Sequence, residues 1–177
     1  MTFPGLDTDA DNLAGLAYAV TSPDDERMNA EQLVVDLGGV PVWIAESDRT
    51  LYHAALVLGA NNLISLTAAS MQALSAAGVA DPGMVLGPLV RTSLENALRL
   101  GDQALTGPVR RADLGTIGSH VAALRERAPE LLPGYLQFAL VTAHRAKAAA
   151  LNTAEELDRV VNLLRTEVAE ERSGTVE

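Results

Sequence analysis

The stretch Leu51 to Leu63, LYHAALVLGANNL, is apolar enough for a buried helix, yet it carries His53, Asn61 and Asn62 within three turns. Groups that need hydrogen-bond partners are rarely put in such a setting unless they face a polar cleft, a partner helix or a ligand. On an ideal helix His53 and Asn61 stand two turns apart and roughly 80° apart in azimuth, so one cleft can see both, whereas Asn62 points nearly opposite to His53. His53 and Asn61 are therefore the candidate catalytic, substrate-facing pair. A purely structural reading stands beside it, in which a buried histidine or asparagine bonds a neighbouring backbone carbonyl.

A second constellation lies in ALTGPVRRADLGTIGSH, residues 104 to 120. Thr106-Gly107-Pro108 forces a turn, Arg110 and Arg111 follow, and Asp113 stands where an N-cap would start the next helix. Two adjacent guanidinium groups beside a helix N-terminus can clamp a carboxylate or phosphate, with His120 two turns further along. The plainer reading is an interhelical turn with a capping aspartate. In RTSLENALRLG, Arg91 and Asn96 are candidates for the same cleft, with an inter-helix hydrogen bond as the alternative for Asn96, and Glu95 and Arg99 read as a surface i,i+4 pair. The candidate substrate contacts are thus Arg91, Asn96, Thr106, Arg111 and His120.

These residues need elements to hold them. Residues 1 to 13, with Pro4, Gly5 and several aspartates, read as a linker or arm. LAYAVTS, Leu16 to Ser22, alternates like a short strand; Asp24 to Leu37 has helical spacing and ends at Gly38-Gly39; PVWIA follows as a second strand. Residues 14 to 46 thus form a β-α-β unit. Two strands do not make a stable sheet alone, so they extend a sheet supplied by another domain or pair across a dimer. Residues 47 to 177 read as an α-helical domain of five helices: Ser47 to Ala77, Asp81 to Leu100, one from near Asp113, one from Glu130 to about Leu151, and Thr153 to Glu171. In the last, Leu157, Val160, Val161, Leu164 and Val168 form one apolar stripe, which covers the core or makes a dimer contact. HRAKAAAL, with His144, Arg145 and Lys147, reads as a solvated face, with anion binding as the alternative.

Bulk properties agree with a mainly α protein. The 177 residues are 48% apolar but only 3% aromatic, a mix that favours helices packed through small side chains over a β-sandwich. A net charge of −10 and a pI near 4.7 oppose a nucleic-acid or anionic-membrane surface. No uninterrupted run of about 18 apolar residues occurs, and MTFPGLDTDADN has neither the basic region nor the apolar core of a signal peptide, so a cytoplasmic location is expected. Zero cysteines exclude disulfides and thiolate metal sites, and three scattered histidines argue against a dedicated metal site.

The succession AYAVTSPDDE, LGGVPVWI, RTLYHAALVLGANNL, TSLENALRLG and ALTGPVRRADLGTIGSHVAAL resembles the C-terminal region of the Rossmann-like, DUF2520-containing proteins. These are similar in turn to ketopantoate reductase, pyrroline-5-carboxylate reductase and the 6-phosphogluconate dehydrogenase C-terminal-domain group. The resemblance covers roughly residues 2 to 170. It implies a 6-phosphogluconate dehydrogenase C-terminal-like helical bundle, preceded by a dinucleotide-binding domain ending in a stretch like His-Pro, a few residues and Thr-Phe, inside which Met1-Thr2-Phe3-Pro4-Gly5 begins. No GxGxxG follows a strand in this chain, so NAD(P) is implied by the resemblance but not held by this chain alone. Related β-hydroxyacid dehydrogenases place a lysine one turn before an asparagine, where it polarises the carbonyl or relays the proton. Here Val57 and Leu58 stand four before Asn61 and Asn62, and His53, one turn earlier, is the proton donor that would substitute where it reaches the substrate. The family often has Arg-Gly-Asp where this chain reads Arg111-Ala112-Asp113.

The resulting expectation is the helical substrate-binding and dimerisation lobe of an NAD(P)-dependent oxidoreductase-like protein. It would act on a small keto or hydroxy acid with a Rossmann domain in cis or in trans, form a homodimer, and bind neither nucleic acid nor membrane. The rival expectation is a non-enzymatic helical module that dimerises or binds a small acid.

Overall fold

The computed structural model describes residues 14–174. The expected N-terminal arm, residues 1 to 13, lies outside the described residues. The chain divides into two compact units between Leu66 and Thr67, inside its longest helix.

In the first unit β1 (Ala17–Val20) pairs in parallel with β2 (Val40–Trp43), in the register Ala17 to Val40 and Val20 to Trp43. Between them a 3-10 turn at Asp24–Glu26 leads into α1 (Arg27–Asp36). α1 ends in a Schellman closure: Gly39 N–H donates to Val34 O (3.0 Å) and Gly38 N–H to Val35 O (2.8 Å), with Gly38 at φ 73. Gly39 is required for another reason, since a Cβ there would come within 2.3 Å of the Tyr18 ring. β1 is shorter than the alternating Leu16–Ser22, and β2 begins one residue before PVWIA and ends two residues short of it, although Ile44 N–H still donates to Val20 O at 3.0 Å. The unit continues into α2 (Arg49–Ala76), which follows a 3-10 turn at Glu46–Asp48. The 31 residues Glu46–Ala76 are long and apolar enough to cross a membrane by length and composition, despite the interruptions by His53, Asn61 and Asn62.

The second unit takes the end of α2 and five further helices: α3 (Pro82–Leu100), the one-turn α4 (Gly107–Arg110), α5 (Leu114–Arg127), α6 (Leu132–Ala148) and α7 (Ala154–Gly174). Six helices therefore follow the strands, not five. The unforeseen one is α4, since a turn closed by Thr106-Gly107-Pro108 leaves room for a single helical turn, with Pro108 near its start where a missing N–H costs nothing. Most other boundaries move inward by one to three residues, while α7 runs on past Glu171 to Gly174: α3 starts after its cap Asp81, whose carboxylate accepts from Met84 N–H, and α6 is preceded by a 3-10 turn at Pro129–Leu131.

Four helices contribute the core. Val109 of α4, Ile117 and Val121 of α5, Leu132, Leu136, Ala139 and Ala143 of α6, and Val160, Val161 and Leu164 of α7 pack together. The α6 positions recur at intervals of four, three and four, one face of a helix. The α7 stripe read from the sequence is the buried one, with Leu157, Val160 and Leu164 fully enclosed. Alanines at 139, 143 and 146 let α7 approach α6 closely. By contrast α3 buries no residue, and Met84, Leu89 and Leu98 on it are largely exposed.

Candidate functional site

His53 and Asn61 lie on α2 within the first unit, and both are exposed. Neither side chain makes a hydrogen bond or ion pair among the described residues, so the alternative of buried groups satisfied by backbone carbonyls does not describe them. Only the backbone carbonyl of Asn61 is engaged, by the Ser65 hydroxyl at 3.2 Å. The positions one turn before the asparagines, Val57 and Leu58, are exposed as well.

The remaining candidates belong to the second unit. Arg91 is exposed and folds back along its own helix, its guanidinium beside Gly87. Half-buried Asn96 accepts from Arg99 Nη2 at 3.1 Å. Arg99 therefore pairs with Asn96 and not with Glu95, because the i,i+3 carboxamide on the same face is the nearer acceptor. Thr106 is the N-cap residue of α4, with an exposed side chain that makes no capping bond.

Arg111 and His120 are brought into one electrostatic neighbourhood by Asp113. The Asp113 carboxylate accepts from Thr116 N–H at 3.0 Å and from the Thr116 hydroxyl at 2.7 Å, closing the N-terminus of α5. These two bonds hold its pKa below the ordinary aspartate value, and the positive fields of Arg111 and His120 act in the same direction. The helix N-terminus expected to receive an external anion is thus already occupied by the protein's own carboxylate. Arg111 stays exposed, with its guanidinium free of hydrogen bonds among the described residues. Arg110 differs from it: its Nε is buried without a partner, and its carbonyl accepts from Asn152 Nδ2 at 3.1 Å.

The turn that presents Arg111 has a particular geometry. Ala112 N–H donates to Val109 O and Asp113 N–H to Pro108 O, at 3.1 and 2.9 Å, with Ala112 at φ 55. This is the same closure as at Gly38, built here on a residue with a side chain. It accounts physically for glycine at this place in the Arg-Gly-Asp form of the motif.

His120 also faces an open cleft of about 330 Å³. Its Nδ1 lies 3.1 Å from the Tyr135 hydroxyl, and the two rings meet edge to face with centroids 6.0 Å apart. Burial pushes the Tyr135 hydroxyl above the ordinary phenol pKa. Arg127, on the same cleft, donates to the carbonyl of Ala76, the last residue of α2, where helix carbonyls have no internal partner. Tyr135 and Arg127 were not among the candidates from sequence: Tyr135 sits in an apolar segment, and its link to His120 spans fifteen positions and two helices. The cations of HRAKAAAL are paired, Arg145 with Asp102 at 2.6 Å and Lys147 with Asp158 at 2.5 Å, as a solvated face would be.

A nicotinamide dinucleotide needs a place for its pyrophosphate. The turn after β1 does not fit one, since Pro23 offers no N–H and Asp24, Asp25 and Glu26 crowd the first helical turn with negative charge. Among the described residues there is no group of three or more histidines or carboxylates placed to hold a metal ion. No curated protein and no solved structure matches the chain. The family described as Domain of unknown function (DUF2520) matches it over residues 16–142, well over half its length, and the chain belongs to that family.

Proposed function

We propose that this chain is the helical substrate-binding and dimerising lobe of an NAD(P)-dependent oxidoreductase-like protein acting on a small keto or hydroxy acid. The dinucleotide would be held by a Rossmann domain in cis or in trans. The observation that carries this reading is the β1–β2 pair. Parallel strands joined through a helix belong to larger sheets, and a sheet of two such strands among the described residues is too small to stand alone. In this reading His53 and Asn61 line the substrate side, Arg111 and His120 hold an anionic group, and Arg91, Asn96 and Thr106 are further contacts. Exposed Met84, Leu89 and Leu98 on α3 supply apolar surface for a homodimer. A cytoplasmic location belongs to the same reading.

The rival is a non-enzymatic module that dimerises or binds a small acid. It draws support from Val57 and Leu58, which stand where related dehydrogenases carry lysine.

The test is NAD(P)H turnover by the protein joined to its dinucleotide-binding domain, across small keto and hydroxy acids, with His53→Ala, Asn61→Ala and Arg111→Ala. Turnover that falls in these variants while the fold persists supports the enzyme. Acid binding without turnover under either nicotinamide supports the module. Light scattering across micromolar concentrations checks the dimer, and a monomer throughout would remove it. Fractionation tests the location, and recovery of the chain with membranes would count against it.

A further inference from the structure

The cleft beside His120 lies wholly within the second unit and has a simple construction. Its apolar surface comes from Ala73, Ala76, Ala77, Ala123, Ala128 and Leu124. Alanine ends one carbon from the backbone, so such a surface is low and flat and admits a planar or branched body without moving a side chain. A volume of about 330 Å³ falls at the small end of ligand pockets, roughly 300–1,000 Å³.

The polar groups on its lining are His120, Arg127 and Tyr135, and no carboxylate lines it, although the whole chain carries a net charge of −10. Glu130, at the start of the following turn, is engaged by the Gln72 carboxamide. Donor accounting then points one way. The contact between His120 Nδ1 and the Tyr135 hydroxyl uses one hydrogen. If the phenol gives it, the imidazole keeps its Nε2–H; if the imidazole gives it, the phenol keeps its O–H. The pair retains a donor in either case. Arg127 spends part of its donor fork on the Ala76 carbonyl and keeps the rest.

We propose that this cleft binds a small monocarboxylic acid with a flat apolar body, the body against the alanines and the carboxylate on Arg127 and the His120–Tyr135 pair. The assignment deepens the small-acid reading above and rests on its anion-holding role for His120, but it concerns binding alone, so loss of turnover leaves it standing and loss of benzoate binding does not.

Benzoate is the probe, with benzyl alcohol as its neutral counterpart, titrated into the ¹⁵N-labelled full chain. The expected result is saturable amide shifts concentrated at Ala73, Ala77, Ala123 and Ala128, with benzyl alcohol at least about tenfold weaker, and with Tyr135→Phe weakening benzoate several-fold. Ala123→Leu and Ala77→Leu each fill the cleft from an exposed position and abolish the shifts while circular dichroism stays native. The proposal is overturned by shifts that survive both leucine variants, by equal affinity for benzyl alcohol, or by no saturable shift up to about 20 mM benzoate.

Discussion

Thr116 gives both its backbone N–H and its hydroxyl to the carboxylate of Asp113, at 3.0 and 2.7 Å, and so ties the turn carrying Arg111 to the start of α5. These bonds favour the ionised form, so the folded-state pKa lies below the unfolded one. The sign follows: the contribution to stability is complete above the unfolded aspartate pKa and is lost as pH falls through the folded value. Asp113→Ala should lower the urea midpoint at neutral pH, and its deficit relative to the native chain should shrink below about pH 5. Asp113→Asn retains the capping oxygen and should show less of that pH dependence.

Ala112 at φ 55 and Ala150 at φ 51 close α4 and α6 in a conformation that penalises a Cβ. Replacing either by glycine should stabilise the fold by about 0.5–1 kcal/mol, the relief of left-handed strain less the entropy glycine loses on folding. Equilibrium urea unfolding measures this, and an unchanged or lower midpoint for both variants would show that the strain is met elsewhere in the turn.

Leu136 and Leu164 are fully enclosed where α6 meets α7. Truncating either to alanine should cost about 2–5 kcal/mol, the lost transfer energy plus the cavity left behind. Thermal or chemical denaturation reads it directly. Leu98→Ala, at 81% exposure on α3, should change monomer stability little. A large loss that depends on protein concentration would instead place Leu98 in a subunit interface.

Arg127 reaches from the end of α5 to the last carbonyl of α2. Arg127→Ala should fray the final turn of α2, seen as faster amide hydrogen exchange at Ala76 and Ala77, with the α6–α7 amides unchanged. Uniform acceleration across the chain would mean that Arg127 supports global stability and not one helix end.

Much of the fold was legible because its signals are local. Gly38-Gly39 after a helically spaced segment, Asp81 before Pro82, Asp113 before an apolar period and the Leu157-to-Leu164 stripe each mark one helix from within a few residues. α4 escaped because one turn has no period to read. The site was less legible because its relationships cross between elements. Arg99 has acceptor candidates at two spacings, and only coordinates select Asn96. His120 gave no hint of Tyr135, since nothing in a lone histidine says which neighbouring helix supplies its partner. His53 and Asn61 stood out correctly as polar groups on an apolar helix, yet the sequence could not tell a buried satisfied pair from the exposed one found.

The core also sets a direction in time. α7 supplies Leu157, Val160 and Leu164 to the centre of the second unit, so during synthesis the apolar faces of α5 and α6 leave the ribosome before their cover does. A nascent chain halted near Ala150 has Leu132, Leu136 and Ile117 packed only among α4, α5 and α6, with the side that α7 covers still open to water. Completion of this core therefore waits on α7, whose Val160, Val161 and Leu164 close it.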